Sequence, residues 1–483
     1  MSIPRYADRH PQDTTLLSIA YNSALISKGA NISVSTAIIN AARGSDENTT
    51  KEALNSFIKH STENVNETSE RVRENQKFYL EVLEKEMQRS SEVTPQYLSE
   101  YFGDWRNISN QLSDKEVAIE FVEFIPLGEP REDDLYLGAL YLAKSSNPHF
   151  LRICKVAEID LLKKHIEHDG LQGMAEVYNI IWQPIIKEYR NVNRVWFAPS
   201  VHLFQTNIES ALPDSIDAYR VSSTRNILTL IDTPDYSEIA LFGGLNYDDK
   251  DTLIINETPN LTAYNIIRGS NIDEERVGLK YLKGSLNEVI TAQTILSTNN
   301  HSIQTFFDRR GTEERFKRLS GTGISLLHIA THGFYIKNDD NVLNVGYGVM
   351  RKTGLFMSGA KAIWKGVNEK YTGDDGILLS EEVENLDFSK LNLVVLSACG
   401  TGLGNPTNDG VYGLQRAFKK AGAQTIIMSL WNVDDNATAL MMETFYQELV
   451  KTNSKHQAFR KAQEAVREKY ENPYYWAAFI MLD

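Results

Sequence analysis

The chain has 483 residues, 42% of them apolar, and is long enough for about three domains with hydrophobic cores. Its formal net charge is -14 and it contains no run rich in Lys and Arg, which argues against nucleic acid or an anionic membrane as a direct partner. Its two cysteines exclude a disulfide framework and a CxxC metal site.

The sequence shows neither a membrane-spanning pattern nor a targeting pattern. No apolar segment approaches the roughly 20 residues that cross a bilayer. The segment MSIPRYADRHPQDTT has neither an apolar core nor an Arg-rich amphipathic pattern. Two free thiols suit a reducing compartment. We therefore predict a cytoplasmic protein that does not bind a membrane and requires neither a metal nor a cofactor.

Helical periodicity characterises residues 1–113. Apolar residues recur at helical spacing in TLLSIAYNSALISKG, and this helix is predicted to stop at Gly29. The segment at about 65–89 is polar with a narrow apolar stripe, which is typical of a helical hairpin or coiled coil. It fits a solvated spacer or a docking surface for a regulatory protein partner, and no repeat with a period of about 34 residues is detectable.

A change to period two begins near Glu116. Three β-rich runs predict an antiparallel meander, namely EVAIEFVEF, DLYLGALYLA and HFLRICKVAEI. Cys154 lies inside the third run and is interpreted as a buried structural thiol. A helix at about 171–190 and the strand RVWFAPS follow. We expect this unit to span residues 114–235.

Strands and helices alternate in residues 236–483, which predicts a mostly parallel sheet with helices on both faces. The predicted strands are EIALFGGLNY, a short strand near Ser302, ISLLHIATHGFY, LNLVVLS, QTIIMSLW and YYWAAFIML. The intervening segment at about 248–283 is polar and is interpreted as an insertion or loop.

Two of these strands are followed closely by residues with reactive side chains. Cys399 follows the apolar run of LNLVVLS, and His332 follows that of ISLLHIATHGFY. The carboxyl ends of neighbouring parallel strands meet at one edge of a sheet, so a thiol and an imidazole would meet there. The imidazole would help to form the thiolate, and the N–H groups of Gly333 and Cys399 would serve as oxyanion donors. His328 lies deeper in its strand and is expected to be a core or supporting histidine.

Several motifs together resemble the CHAT domain, a caspase-like cysteine peptidase family whose clan includes caspases, separase, gingipains and legumain. They are ATHG, LSACGTGLG, DGVYGLQRAFKKAGA, IIMSLWNVDDNATALMMETFY and PYYWAAFIML. The resemblance extends over about 116–483 and implies that His332 is the catalytic histidine and Cys399 the nucleophile, with no third residue required. It also implies a caspase-like mostly parallel sheet flanked by helices. A pseudo-caspase-like β-rich half and an N-terminal helical region would precede that sheet.

The resemblance also implies a specificity pocket. Separase-like relatives use an Asp of a W-x-V-x-D motif to bind arginine, and SLWNVDD contains Asp434 and Asp435, of which Asp435 matches the spacing better. The alternative is that one of them caps the following helix. Asp409 in the loop NDG is another acidic candidate, and its alternative is an Asp-Gly turn.

These expectations combine into an endopeptidase that cleaves a protein partner after a basic residue and is regulated by a partner or a signal. The alternative is a non-catalytic CHAT scaffold or interaction module. A phosphate-binding role for the loop GTGLGNPTNDG would require the lysine of a P-loop, which the loop lacks.

Overall fold

A computed structural model describes most of the chain. The described residues are 3–28, 48, 51–52, 56, 104–128, 134–168, 170–189, 191–230, 235–248, 279–298, 301–335, 350, 352–361, 375–398, 402, 404–407, 410–432 and 434–483. Gly29, the polar segment at 65–89, most of the predicted insertion and two predicted site residues, Cys399 and Asp409, lie outside them.

Three helices are described in the N-terminal region. They are α1 (Ile3–Arg9), α2 (Thr14–Ser27) and α3 (Trp105–Gln111). Asp104 caps α3 by accepting the N–H of Arg106 at 2.8 Å, and the side-chain amide of Asn22 in α2 donates to the same carboxylate at 2.9 Å. The apolar sides of these helices pack against one face of the first strands of the sheet.

The described strands form one large sheet and two small ones. In chain order the strands are β1 (Glu116–Phe124), β2 (Tyr136–Ala143), β3 (His149–Lys155), β4 (Arg194–Ala198), β5 (Asp217–Arg220), β6 (Glu238–Leu245), β7 (Ser302–Asp308), β8 (Leu326–Ala330), β9 (Gly333–Tyr335), β10 (Thr353–Phe356), β11 (Ile377–Leu379), β12 (Leu393–Ser397), β13 (Asn405–Thr407), β14 (Gly410–Tyr412), β15 (Thr425–Ser429) and β16 (Phe479–Leu482).

Eleven of these strands form the large sheet, in the order β3-β2-β1-β4-β5-β16-β15-β12-β8-β6-β7. Seven of its ten described strand pairs are parallel, which confirms the predicted fold class. The antiparallel meander β1-β2-β3 is also confirmed, although β3 ends at Lys155 and Val156 already begins a helix. The sheet continues across residue 235, and the predicted domain boundaries stay predictions.

Helices cover both faces of this sheet. After α3 they are α4 (Val156–His168), α5 (Gly170–Val177), α6 (Gln183–Ile186), α7 (Lys283–Leu296), α8 (Glu313–Lys317), α9 (Ser380–Val383), α10 (Leu414–Ala421), α11 (Asp435–Thr452), α12 (Lys455–Lys469) and α13 (Pro473–Trp476). A π-helical turn at Tyr178–Trp182 joins α5 to α6. Among the described helices, none combines the length and apolar character needed to span a bilayer.

The central strand β12 shows why its sequence is a continuous apolar run. Leu393 and Val395 point into the core beneath α7, α11 and α12, whereas Val394 and Leu396 point into the core beneath α8 and α10. Successive side chains of a strand alternate between faces, so a strand with helices on both sides needs apolar residues at every position.

Candidate active site

The two strands that were predicted to carry the site are neighbours. β8 and β12 pair in parallel, with Ala330 opposite Ser397. His332 is two residues beyond Ala330, and Cys399 is, in sequence, two residues beyond Ser397. Cys399 itself lies outside the described residues. The register therefore places His332 and the end of the strand that leads to Cys399 at the same edge of the sheet.

A backbone carbonyl orients the His332 ring. Nε2 of His332 donates to the carbonyl oxygen of Lys280 at 2.9 Å, so Nδ1 carries the lone pair of the neutral ring. The ring of Tyr247 lies beside it, with centroids 5.2 Å apart. Burial lowers the pKa of His332 from its ordinary value of 6.5, and the hydrogen bond to Lys280 opposes this only in part. The neutral imidazole that a general base requires is therefore favoured at pH 7.

Thr331 anchors the chain immediately before this histidine. Its hydroxyl donates to the carbonyl oxygen of Phe356 at 2.5 Å and lies 2.8 Å from the Tyr247 hydroxyl. Thr331 is 2% exposed, so its hydroxyl anchors the chain in a buried environment.

Gly333 begins β9 and is paired with Leu355 of β10. The N–H of Phe356 donates to the carbonyl oxygen of His332 at 2.9 Å. Hydrogen-bonded and non-bonded pairs alternate along an antiparallel ladder, so the N–H of Gly333 points away from β10. This orientation is compatible with the predicted oxyanion donor, and that role stays a prediction.

A pocket of about 120 Å³ opens beside His332. The end of β12 contributes Ser397 and Ala398 to its lining, α11 contributes Asp435, and α7 contributes Gly284 and Glu288. Among the described residues that line it, none is a lysine or an arginine. The pocket thus combines the end of the β12 strand with two carboxylates.

The two adjacent aspartates, Asp434 and Asp435, have different positions in the structure. Asp434 is the N-cap of α11, where its Oδ1 accepts the N–H groups of Asn436 at 2.9 Å and Ala437 at 3.1 Å. Asp434 therefore fills the capping role that the sequence left open as an alternative. Asp435 is the first residue of the helix and lines the pocket with His332.

A buried polar chain supports the pocket from below. His328 is fully buried, as expected for a core histidine, and its Nδ1 lies 2.7 Å from the hydroxyl of Tyr446. Its Nε2 lies 3.1 Å from Oε1 of Glu288. Sequence reasoning missed Glu288 because one acidic residue in a helix of mixed composition carries no signal. It missed the role of Lys280 because a backbone carbonyl is independent of residue type.

A larger cavity, of about 610 Å³, lies between β5 and α12. Its charged groups pair with one another, including Arg467 with Asp214 at 2.8 Å and Lys461 with Glu464 at 2.6 Å. None of the predicted site residues is among the described residues that line it. Within the described part of the chain, no cluster of three or more His, Cys, Asp or Glu could hold a metal ion.

A mostly parallel sheet flanked by helices on both faces, with the candidate site at the carboxyl ends of its central strands, defines an α/β protein. The CHAT domain family model matches residues 173–483, which is more than half of the chain. The chain belongs to the CHAT domain family.

Individual relatives match less of the chain. Tetratricopeptide repeat protein 28 of Homo sapiens is 33% identical over 108 residues, which is 22% of this chain and 4% of that protein. The Mus musculus protein is 32% identical over 108 residues, again 4% of its length.

Solved structures are similar at low identity. A separase–securin complex of Saccharomyces cerevisiae has a TM-score of 0.45 and 12% identity, covering 91% of this chain and 34% of that chain. The Arg-specific cysteine proteinase gingipain R has a TM-score of 0.37 and 11% identity, covering 67% of this chain and 73% of that chain.

Proposed function

We propose that the protein is a cysteine endopeptidase in which Cys399 is the nucleophile and His332 the general base. The observation that carries the proposal is the pairing of β8 with β12, from whose carboxyl ends the two residues follow at equal distances in sequence. The contact between Lys280 and His332 supports it, because a ring anchored through Nε2 keeps Nδ1 available for the thiol proton.

The proposed reaction forms and then hydrolyses a thioester. Nδ1 of His332 takes the proton of Cys399, and the thiolate attacks the peptide carbonyl carbon. The N–H groups of Gly333 and Cys399 would stabilise the oxyanion. The C–N bond then breaks as His332 returns the proton to the leaving amine. Water, deprotonated by His332, attacks the thioester and regenerates the thiol.

Specificity for a basic residue before the scissile bond is proposed from Asp435. Its carboxylate lines the pocket beside His332, and a cationic side chain is the natural partner of a carboxylate in a small pocket. Asp409 remains a second acidic candidate. A regulatory protein partner that binds through the N-terminal helices and a cytoplasmic location also stay predictions.

A comparison of new protein N-termini in cells that express the wild-type protein or Cys399→Ala tests the proposal. We expect sites that depend on Cys399 and on His332, and that persist in the matched thiol control Cys154→Ala. Cys154 lies in the edge strand β3, far along the sheet from β8 and β12, so its loss should leave the proposed site intact. Identical sets of N-termini from the wild type and Cys399→Ala would refute the peptidase proposal.

The second candidate is a non-catalytic CHAT module. The observation that favours it is the curated relative, which is named for tetratricopeptide repeats. This candidate predicts partner binding that is equally strong in the wild type and in Cys399→Ala, without cleavage of the bound partner by either. Cleavage by the wild type alone would exclude it.

A further inference from the structure

Glu288 is a buried carboxylate that faces the candidate specificity pocket. Its side chain is 6% exposed, and it lines the pocket together with His332 and Asp435. Its Oε1 is buried and lies 3.1 Å from Nε2 of His328, but within the described chain neither of these two atoms makes a hydrogen bond. Burial of a carboxylate is costly without a partner, so one of its oxygens is left to be satisfied by an occupant of the pocket.

His328 and Tyr446 lie on the core side of Glu288. Burial raises the pKa of Tyr446 well above its ordinary value, so its hydroxyl stays protonated and can donate to Nδ1 of His328. Both residues are fully buried, which restricts the directions in which the Glu288 side chain can point.

The position of Gly284 shows how the two carboxylates of the pocket, Glu288 and Asp435, are arranged. A Cβ atom built on Gly284 would lie 3.5 Å from Oδ2 of Asp435, so the Asp435 carboxylate lies over this glycine. Glu288 is four residues further along α7, hence on the same helix face and about 6 Å away along the axis. The absence of a side chain at Gly284 leaves the space between the carboxylates open.

We infer that Glu288 is a second specificity-determining residue, and that Glu288 and Asp435 together bind the guanidinium group of an arginine that precedes the scissile bond. The inference rests on the proposed function and deepens it. A guanidinium presents five N–H donors in a planar fork and can bond carboxylates on two sides, whereas an ammonium group is a compact point charge. The pocket therefore favours arginine over lysine.

Peptide hydrolysis provides the first test. Fluorogenic peptides with arginine, lysine or citrulline before the cleavage site are compared on the full chain, because citrulline is a neutral analogue of arginine. We expect Glu288→Gln and Asp435→Asn each to lower kcat/KM for the arginine peptide about 10- to 100-fold and to reduce its advantage over citrulline. The matched control is Glu443→Gln on the exposed side of α11, which should leave both values unchanged.

Binding provides a readout that does not need catalysis. Calorimetry on Cys399→Ala compares a tetrapeptide ending in arginine with the same peptide ending in citrulline. We expect the arginine peptide to bind at least 10-fold more tightly, and this preference to disappear when Glu288→Gln is added. An unchanged preference, with the variant still folded by circular dichroism, would overturn the inference.

The two tests separate the inference from the peptidase proposal. Arginine binding that depends on Glu288, without hydrolysis by the wild type, would retain the pocket assignment and refute the peptidase proposal. Hydrolysis that depends on Cys399, with an arginine preference insensitive to Glu288→Gln, would do the reverse.

Discussion

Replacing Thr331 with valine removes one hydroxyl at the point where β8 leads into the candidate site. This hydroxyl donates to the carbonyl oxygen of Phe356, and burial raises the pKa of Tyr247 to about 12, so the Tyr247 hydroxyl remains a donor to Thr331. Valine has nearly the same shape but removes both of these hydrogen bonds. At about 1–3 kcal/mol for each, we expect the free energy of unfolding to fall by about 2–6 kcal/mol.

Urea unfolding followed by tryptophan fluorescence measures this loss, with Thr331→Ser as the matched control because serine keeps the hydroxyl. The loss of unfolding free energy in Thr331→Ser should be less than half of the loss in Thr331→Val. The same variants report on the site, because Thr331 precedes His332 directly and the Phe356 N–H donates to the His332 carbonyl. Thr331→Val with wild-type stability, or Thr331→Ser with an equal loss, would refute the assignment of this hydroxyl as an anchor.

Three further predictions concern protonation, access and thiol reactivity. Because burial lowers the pKa of His332, the acid limb of kcat/KM should lie below pH 6.5, and a limb at or above that value would contradict a half-buried neutral base. Gly284→Leu should block the mouth of the pocket and reduce peptide cleavage more than 10-fold, whereas Gly284→Ala, whose Cβ would lie 3.5 Å from the Asp435 carboxylate, should remain active. Burial raises the pKa of Cys154 to about 12, so brief alkylation of the native protein at pH 8 should spare Cys154 and modify Cys399, as peptide mass spectrometry would show.

Sequence patterns identified the strands that carry the site because those strands are buried on both faces. The continuous apolar runs of β8 and β12 indicated central positions in a parallel sheet, and the polar residues after them indicated its functional edge. The same patterns could not assign β5 (Asp217–Arg220). Its four residues DAYR carry no apolar alternation, and it becomes a strand only because β4 and β16 provide partners on its two sides.

The sequence does not predict the start of α4 directly after β3 or the set of residues that lines the pocket. These two failures have different physical causes. The segment VAEI after Lys155 contains apolar residues that suit a strand or a helix equally, and packing against the core selects the helix. The pocket depends on residues far apart in sequence, since Glu288 comes from α7 and Asp435 from α11. Local periodicity carries no information about which helices become neighbours.

The half of the sheet without the predicted catalytic residues nevertheless holds parts of the site in place. Gln205, which follows β4, donates to the carbonyl oxygen of Gly404 at 2.9 Å, in the segment after the predicted nucleophile. Asn207, 1% exposed, donates to the carbonyl oxygens of Ala477 at 2.7 Å and Phe479 at 3.2 Å. Phe479 begins β16 and lines the pocket beside His332. Two side chains of the connection between β4 and β5 thus bind the backbone of two segments of the other half. These contacts explain how the half without the predicted catalytic residues can support the candidate site.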